Sequence, residues 1–271
     1  MPVFGPNNLR LGATQINKAY LGATLLFDGA APSPALPDLD YDVLLEAYDP
    51  DSLFSDTAGT TPASVDGSVA RVNDTSVNSN NATQATAAAR PIRRQLGDLN
   101  WLDHDGVDDR LVIAPNASWN KTGMSVVMAL RVPDFSGRMA FFGCAGATNM
   151  SVGLASSPGF NVGVVNSGDI IAGAVAYYTN GSFLGLGSAV TRNALYESWV
   201  TGQWVIAEAA NCDLDTFYSE EGAQLVGRQG ATDMYEADVT AIILIPTATL
   251  DAGTNRADLV AALADKFGIA L

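Results

Sequence analysis

The densest group of side chains able to do chemistry is Asp103-His104-Asp105-Gly106-Val107-Asp108-Asp109. Asp103, Asp105 and Asp108 offer the hard oxygens that Ca²⁺ prefers, so they are the expected ligand set for a cation. Their spacing is not that of an EF-hand, because the distal Glu and the glycine placement are missing. The same Asp-Gly-x-Asp-Asp string also makes turns through local side-chain-to-backbone bonds, and the turn is the leading expectation. His104 is the single histidine of the chain, which excludes any multi-histidine metal centre. A Ser-His-Asp or Cys-His triad would have to run through it, and no G-x-S-x-G, H-E-x-x-H or P-loop string stands beside it. Packing is the expected role of His104, and no resident cofactor is expected.

Glycoside hydrolysis needs two carboxylates at a fixed separation across the sugar. Glu197, Glu208 and Glu220-Glu221 lack the alternation that would put such a pair on one strand, and Asp213-Leu214-Asp215 sits in a turn-like stretch. The expectation is therefore no enzyme. Aromatic rings could stack on the C–H faces of sugars, and Trp101, Trp119, Trp199, Trp204, Tyr177, Tyr178 and Tyr196 form the pool. Trp119, in Asn116-Ala-Ser-Trp-Asn120, and Trp199, in Tyr196-Glu-Ser-Trp199, are the glycan-binding candidates. Trp204 is assigned to the core, the default place for an aromatic. Cys144 and Cys212 are too few for a disulfide framework; reduced, buried thiols are expected, with a single bridge the alternative. The Asn-x-Ser/Thr strings at Asn73, Asn81, Asn116, Asn120, Asn149 and Asn180 read as coincidences of composition.

The elements that position these residues fall into two parts. Leu11-Gly-Ala-Thr14 recurs as Leu21-Gly-Ala-Thr24, with Gly-Ala-Thr and Asp28-Gly29 as turns. Short strands are expected at Leu9–Leu11, Gln15–Leu21 and Leu25–Phe27. Such a sheet has too little core to stand alone and must dock onto something. Ala30 to Pro37 carries three closely spaced prolines (Pro32, Pro34 and Pro37) and reads as an extended linker. The division is 1–30, an N-terminal β-repeat; 31–39, a linker; and 40–271, a β-rich domain. In that domain strands are expected at Ser125–Val132, Met139–Gly143, Ser151–Leu154, Gly159–Val165, Ile170–Tyr178, Gln203–Ala207 and Val239–Ile245, which points to an all-β sandwich or jelly roll. Asn73 to Ala89 reads as a surface excursion without a strand. One helix ends the chain: Thr254 caps it, Asp258 and Lys266 suit its dipole, Leu259, Val260, Leu263 and Phe267 share a face, and Gly268 closes it.

The chain has 271 residues, 48% hydrophobic and only 16% charged, with a net charge of −15. That balance is not one of disorder, and its sign disfavours nucleic acid as a partner. The apolar stretches are far shorter than a membrane span requires. Met1-Pro-Val-Phe-Gly-Pro6 lacks the basic and apolar regions of a secretion signal, so synthesis and folding in a cytoplasm are expected.

Several segments, in order, resemble concanavalin A-like, laminin-G-like domains of bacteria and phages. They are Ala47–Leu53, Val72–Ser76, Asn81–Pro91, Leu102–Leu111, Gln203–Ile206 with Phe217–Gly222, and Asp258–Ile269. Val72 departs from the pattern, where tryptophan is common. Separately, Ile16-Asn-Lys-Ala-Tyr-Leu-Gly-Ala-Thr24 is similar to a β-repeat of tail-fibre and other virion proteins of bacteriophages and gene transfer agents. The two resemblances together imply a virion structural protein, such as a fibre, spike or decoration component. Ile16, Tyr20, Leu21, Leu26 and Phe27 would anchor it to other virion proteins, and the sandwich would face outward toward host-surface glycan. A homotrimer is what a fibre would imply. The alternatives are a bacterial lectin-like adhesin and, behind it, a glycoside hydrolase of the same fold.

Overall fold

The repeated Leu-Gly-Ala-Thr folds as two copies of one hairpin. Strand β1 (Arg10–Leu11) pairs with β2 (Thr14–Gln15), and β3 (Lys18–Leu21) with β4 (Thr24–Asp28). Leu11 faces Thr14 in the first and Leu21 faces Thr24 in the second, so the two repeats share one pairing register. Of the stretch expected as a strand from Gln15 to Leu21, Gln15 lies in β2 and Lys18–Leu21 form β3, while Ile16-Asn17 lies outside the described residues. The two hairpins form separate two-stranded sheets.

The computed structural model describes residues 10–11, 14–15, 18–21, 24–28, 35–114, 123–132, 142–144, 151–152, 176–186, 202–212, 223–226, 236–269 and 271. It divides into two units, Met1–Leu36 and Pro37–Leu271, with the boundary inside the proline-rich segment.

The second unit is an all-β, jelly-roll-like sandwich of two antiparallel sheets. The larger contains β5 (Val43–Glu46), β9 (Ile92–Leu96), β10 (Leu99–Asp105), β12 (Met124–Arg131), β15 (Ala176–Thr179), β16 (Ser182–Leu186), β17 (Trp204–Cys212) and β19 (Glu236–Pro246). Its order is β16-β15-β17-β12-β19-β10-β9, with β5 paired to β19 beyond the reach of β10. The smaller contains β6 (Leu53–Phe54), β7 (Arg71–Val72), β8 (Ala82–Thr83), β11 (Leu111–Ile113), β13 (Phe142–Cys144), β14 (Ser151–Val152) and β18 (Ala223–Leu225), in the order β14-β13-β18-β11-β8-β7-β6. Alternate residues of both sheets meet in one core, including Leu45, Leu53, Leu102, Leu111, Met128, Leu130, Tyr177, Val205, Val239 and Leu244. The β15–β16 hairpin turns at Asn180-Gly181, both with positive φ, the requirement of the tight turn that matches strand twist.

The excursion from Asn73 does contain a strand, β8, which completes the smaller sheet between β7 and β11. Its neighbouring loop is organised by Asp74, a buried carboxylate that accepts from the N–H groups of Leu44, Ser76 and Asn80 and from the Ser76 hydroxyl. Cys212 is buried in the core. Val72 occupies the core without leaving its strand.

The outer face of the larger sheet is covered by α1 (Thr247–Asp251) and α2 (Asn255–Phe267). Leu259, Val260, Leu263 and Phe267 of α2 are buried, and Gly268 ends it at φ 65°, as a C-terminal glycine should. Thr254 does not bond a backbone N–H; its hydroxyl donates to the Asp258 carboxylate. Beneath the helices, Ser125, Val127, Ala129, Ile243 and Ile245 are fully buried. Glu208, in mid-strand, is 2% exposed. Arg256 reaches it from α2 at 3.0 Å and lies 4.5 Å from the centre of the Tyr178 ring. The Ser125 hydroxyl donates to the same carboxylate at 3.0 Å.

Removing one partner of a buried pair leaves an unpaired charge, whereas replacing both does not. Arg256→Met is therefore expected to cost about 3–5 kcal/mol in urea unfolding. Combining it with Glu208→Leu should recover most of that loss.

Candidate functional site

The outer face is not covered to its end. Where α2 stops, four side chains stand side by side across four strands: Trp204 opposite Arg131, Arg131 opposite Asp238, and Asp238 opposite Asp103. A register shift between Ala129 and Leu130 brings β12 and β19 into this alignment. Arg131 bonds Asp238 with its Nε at 2.7 Å, and its guanidinium lies 5.2 Å from the Trp101 ring centre and 4.9 Å from that of Trp204. The two indoles meet edge to face at 6.2 Å, and Phe267 from the end of α2 lies 6.3 Å from Trp204. Asp103 pairs with Arg94 at 2.8 Å, and Arg94 also holds Asp66. The side chains of Arg131, Asp238, Asp103 and Arg94 are 30%, 14%, 31% and 41% exposed, so the row lies open beside a dry face. Burial pushes the Asp238 carboxyl above its ordinary range, while Arg131 and the Trp101 indole N–H pull it back.

Trp204 is therefore not in the sandwich core. It occupies the outer face, half-buried, because Val205 and not Trp204 has the inward parity of β17. Trp119 and Trp199, the residues singled out for glycan, lie outside the described residues. Of the anchor residues, Tyr20 and Leu21 are in β3 and Leu26 and Phe27 in β4, while Ile16 lies outside the described residues.

The acidic stretch makes the corner where the chain leaves the larger sheet at β10 and enters the smaller at β11. The structure brings together Asp105, Asp108 and Asp109, whose carboxylate oxygens lie within 4.8 Å of one another. Asp103, expected as a ligand with Asp105 and Asp108, belongs instead to the outer-face row, because its carboxylate is taken by Arg94. Asp105 Oδ1 accepts from the Val107 and Asp108 N–H groups, and Asp109 Oδ2 from the Asp105 N–H. These are the bonds of a self-contained turn. Beside it, His104 is 1% exposed, on the inward parity of β10, with Nδ1 3.3 Å from the Ala237 carbonyl. Its Nε2 has no hydrogen-bond partner among the described residues.

No family model matches the chain, and no curated protein matches it. Among solved structures, the sialidase of Trypanosoma rangeli is similar in its complex with 2,3-difluorosialic acid, a covalent intermediate, at a TM-score of 0.43 and 14% identity over 85% of this chain and 34% of that one. The Trypanosoma rangeli sialidase in complex with the inhibitor DANA matches at 0.42 and 13% over 93% and 36%. This chain thus spans about a third of the length of the sialidase chains.

Burial lowers the His104 pKa to about 4 from 6.5 and raises that of Asp109 to about 6 from 3.8. The His104 contribution to stability is full above pH 6.5 and is lost as pH falls toward 4; that of Asp109 is full below 3.8 and is lost as pH rises through 6. The two slopes oppose each other between these limits. Relative to the parent, His104→Leu should lose stability as pH rises through this window and Asp109→Asn should gain it, measured as urea-unfolding free energies at each pH.

Proposed function

We propose that this chain is a non-enzymatic structural protein of a bacteriophage or phage-like particle. In this reading the β-repeat of residues 1–30 docks to other virion proteins, and the sandwich is displayed outward, where it contacts host-surface glycan. The observation that carries the tether is the pair of N-terminal hairpins. Each is a two-stranded sheet, and among the described residues no third strand pairs with either. Two strands alone are marginal in water, so their free edges are completed by main-chain bonds to a partner. Charge supports the same division of labour. Arg10, Lys18 and Asp28 are the charged residues of 1–36, a net +1, which leaves −16 of the total −15 on the rest of the chain. The segment that must approach another protein is the one nearly free of charge.

The sandwich limits its own edges. Strand β9 is bonded along its first half by Asp66, Gly67 and Ser68, and β6 is met by Pro62. Among the described residues, two of the four sheet edges are guarded in this way, which suits display without mutual adhesion. Many weak contacts on one particle would give avidity without any single site being tight. In this reading the protein resides on the virion after synthesis in the host cytoplasm, uses no cofactor, and assembles as a homotrimer if it forms a fibre.

The test compares the full chain with a version lacking residues 1–30 for binding to particles stripped of this protein. Binding by the full chain alone is the expected result. Equal binding by both, or by neither, overturns the tether and brings forward a free lectin-like adhesin.

A further inference from the structure

We propose that the outer-face row of Trp204, Arg131, Asp238 and Asp103, with Trp101 and Arg94 beside it, is a binding site for a neutral, hydroxyl-rich sugar. This rests on the reading of the sandwich as a glycan-contacting module and assigns the place and the ligand class.

The row alternates groups of fixed hydrogen-bonding sense. Arginine only donates, and an ionised carboxylate only accepts. Arg131 and Asp238 share one strand pair, and Asp103 and Arg94 are the next couple along, bonded at 2.8 Å. An anionic sugar would find its arginines already engaged and two aspartates beside them. A cationic amino sugar would meet the aspartates with two guanidinium groups in the way. A hydroxyl both donates and accepts, so neighbouring hydroxyls on one ring can serve an arginine and an aspartate in turn. Net charge points the same way, since −16 on this part of the chain opposes sialylated or sulfated ligands.

The indoles supply the other half of sugar recognition. Trp101 lies within reach of the Arg131 guanidinium and meets Trp204 edge to face, so their orientation is fixed before a ligand arrives. A pyranose ring has an apolar C–H face and a hydroxylated rim. Arg131 lies over the Trp101 ring, so the sugar's face would meet the part of the half-buried indole that the guanidinium leaves uncovered, and its rim would meet Asp103 and Arg131. The positioning is rigid, because the groups stand on four adjacent β-strands rather than on loops, and ordering costs on binding are correspondingly low. The covered part of the same face cannot serve, as Val127, Ala129, Ile243 and Ile245 are fully buried.

The experiment screens the full chain against immobilised neutral oligosaccharides built on glucose, galactose, mannose and N-acetylglucosamine, with sialylated and glucosamine oligosaccharides alongside. Binding to at least one neutral class is expected, followed by tryptophan fluorescence titration. Asp103→Asn and Trp101→Ala should each weaken it about tenfold or more. Asp103→Asn removes charge without volume, and its unchanged circular dichroism and its retained attachment to stripped particles separate loss of the site from loss of fold or tether. The proposal is overturned by no neutral binding, by preference for the sialylated or glucosamine ligands, or by neutral binding that Asp103→Asn and Trp101→Ala leave intact. In that last case the sandwich binds glycan elsewhere and the broader reading stands.

Discussion

The buried Glu208–Arg256 pair is the interaction on which the exposed chemistry of the sandwich depends. An antiparallel sheet with one face in the core can leave the other to water, but only if that face is polar. Here the middle of the outer face is Val127, Ala129, Ile243 and Ile245, and it has to be covered. The C-terminal helix does this, and the ion pair fixes where it lies. A carboxylate in mid-strand with almost no contact with water fits only a cover that brings a cation to it. Arg256, bonded to Asp251 as well as Glu208 and set over Tyr178, meets that requirement. With the helix start fixed there, its end at Gly268 decides how much of the sheet stays open, and Trp204 and Arg131 stand at that margin.

Much of this order was legible in the residues, and the exceptions have physical causes. The helix announced itself through its apolar face, its charges and Gly268, all signals that are local along the chain. The long central strands β12 and β19 showed in runs of β-branched and aliphatic residues. The repeated Leu-Gly-Ala-Thr marked the two hairpin pairings. Strand β8 is hard to read in the sequence because it is two residues long and is held by pairing with β7 and with β11, the latter about thirty positions downstream. The pairing of Arg131 with Asp238 spans 107 positions. No pattern of spacing within a strand reports such a neighbour.

Trp204 and Asp103 illustrate one shared difficulty. Residue type and nearby sequence alone point Trp204 to the core and Asp103 to a turn or a cation. The deciding fact is parity within a strand, and parity is visible only when the strand has both a known start and a known inward neighbour. Once Val205 and Leu102 are placed in the core, Trp204 and Asp103 must face outward. The same alternation sends His104 inward, which is why an imidazole one residue from two aspartates is packed rather than paired with them.

The duplicated hairpin has a consequence for how the N-terminal unit can vary. Its pairings are all internal to one of two hairpin blocks, Arg10–Gln15 and Lys18–Asp28, with Leu11 facing Thr14 and Leu21 facing Thr24. Among the described residues no strand of one block is bonded to a strand of the other. Adding or removing a block would therefore change the chain by one whole hairpin and leave every remaining register as it was. Length in this region comes in quanta of one hairpin.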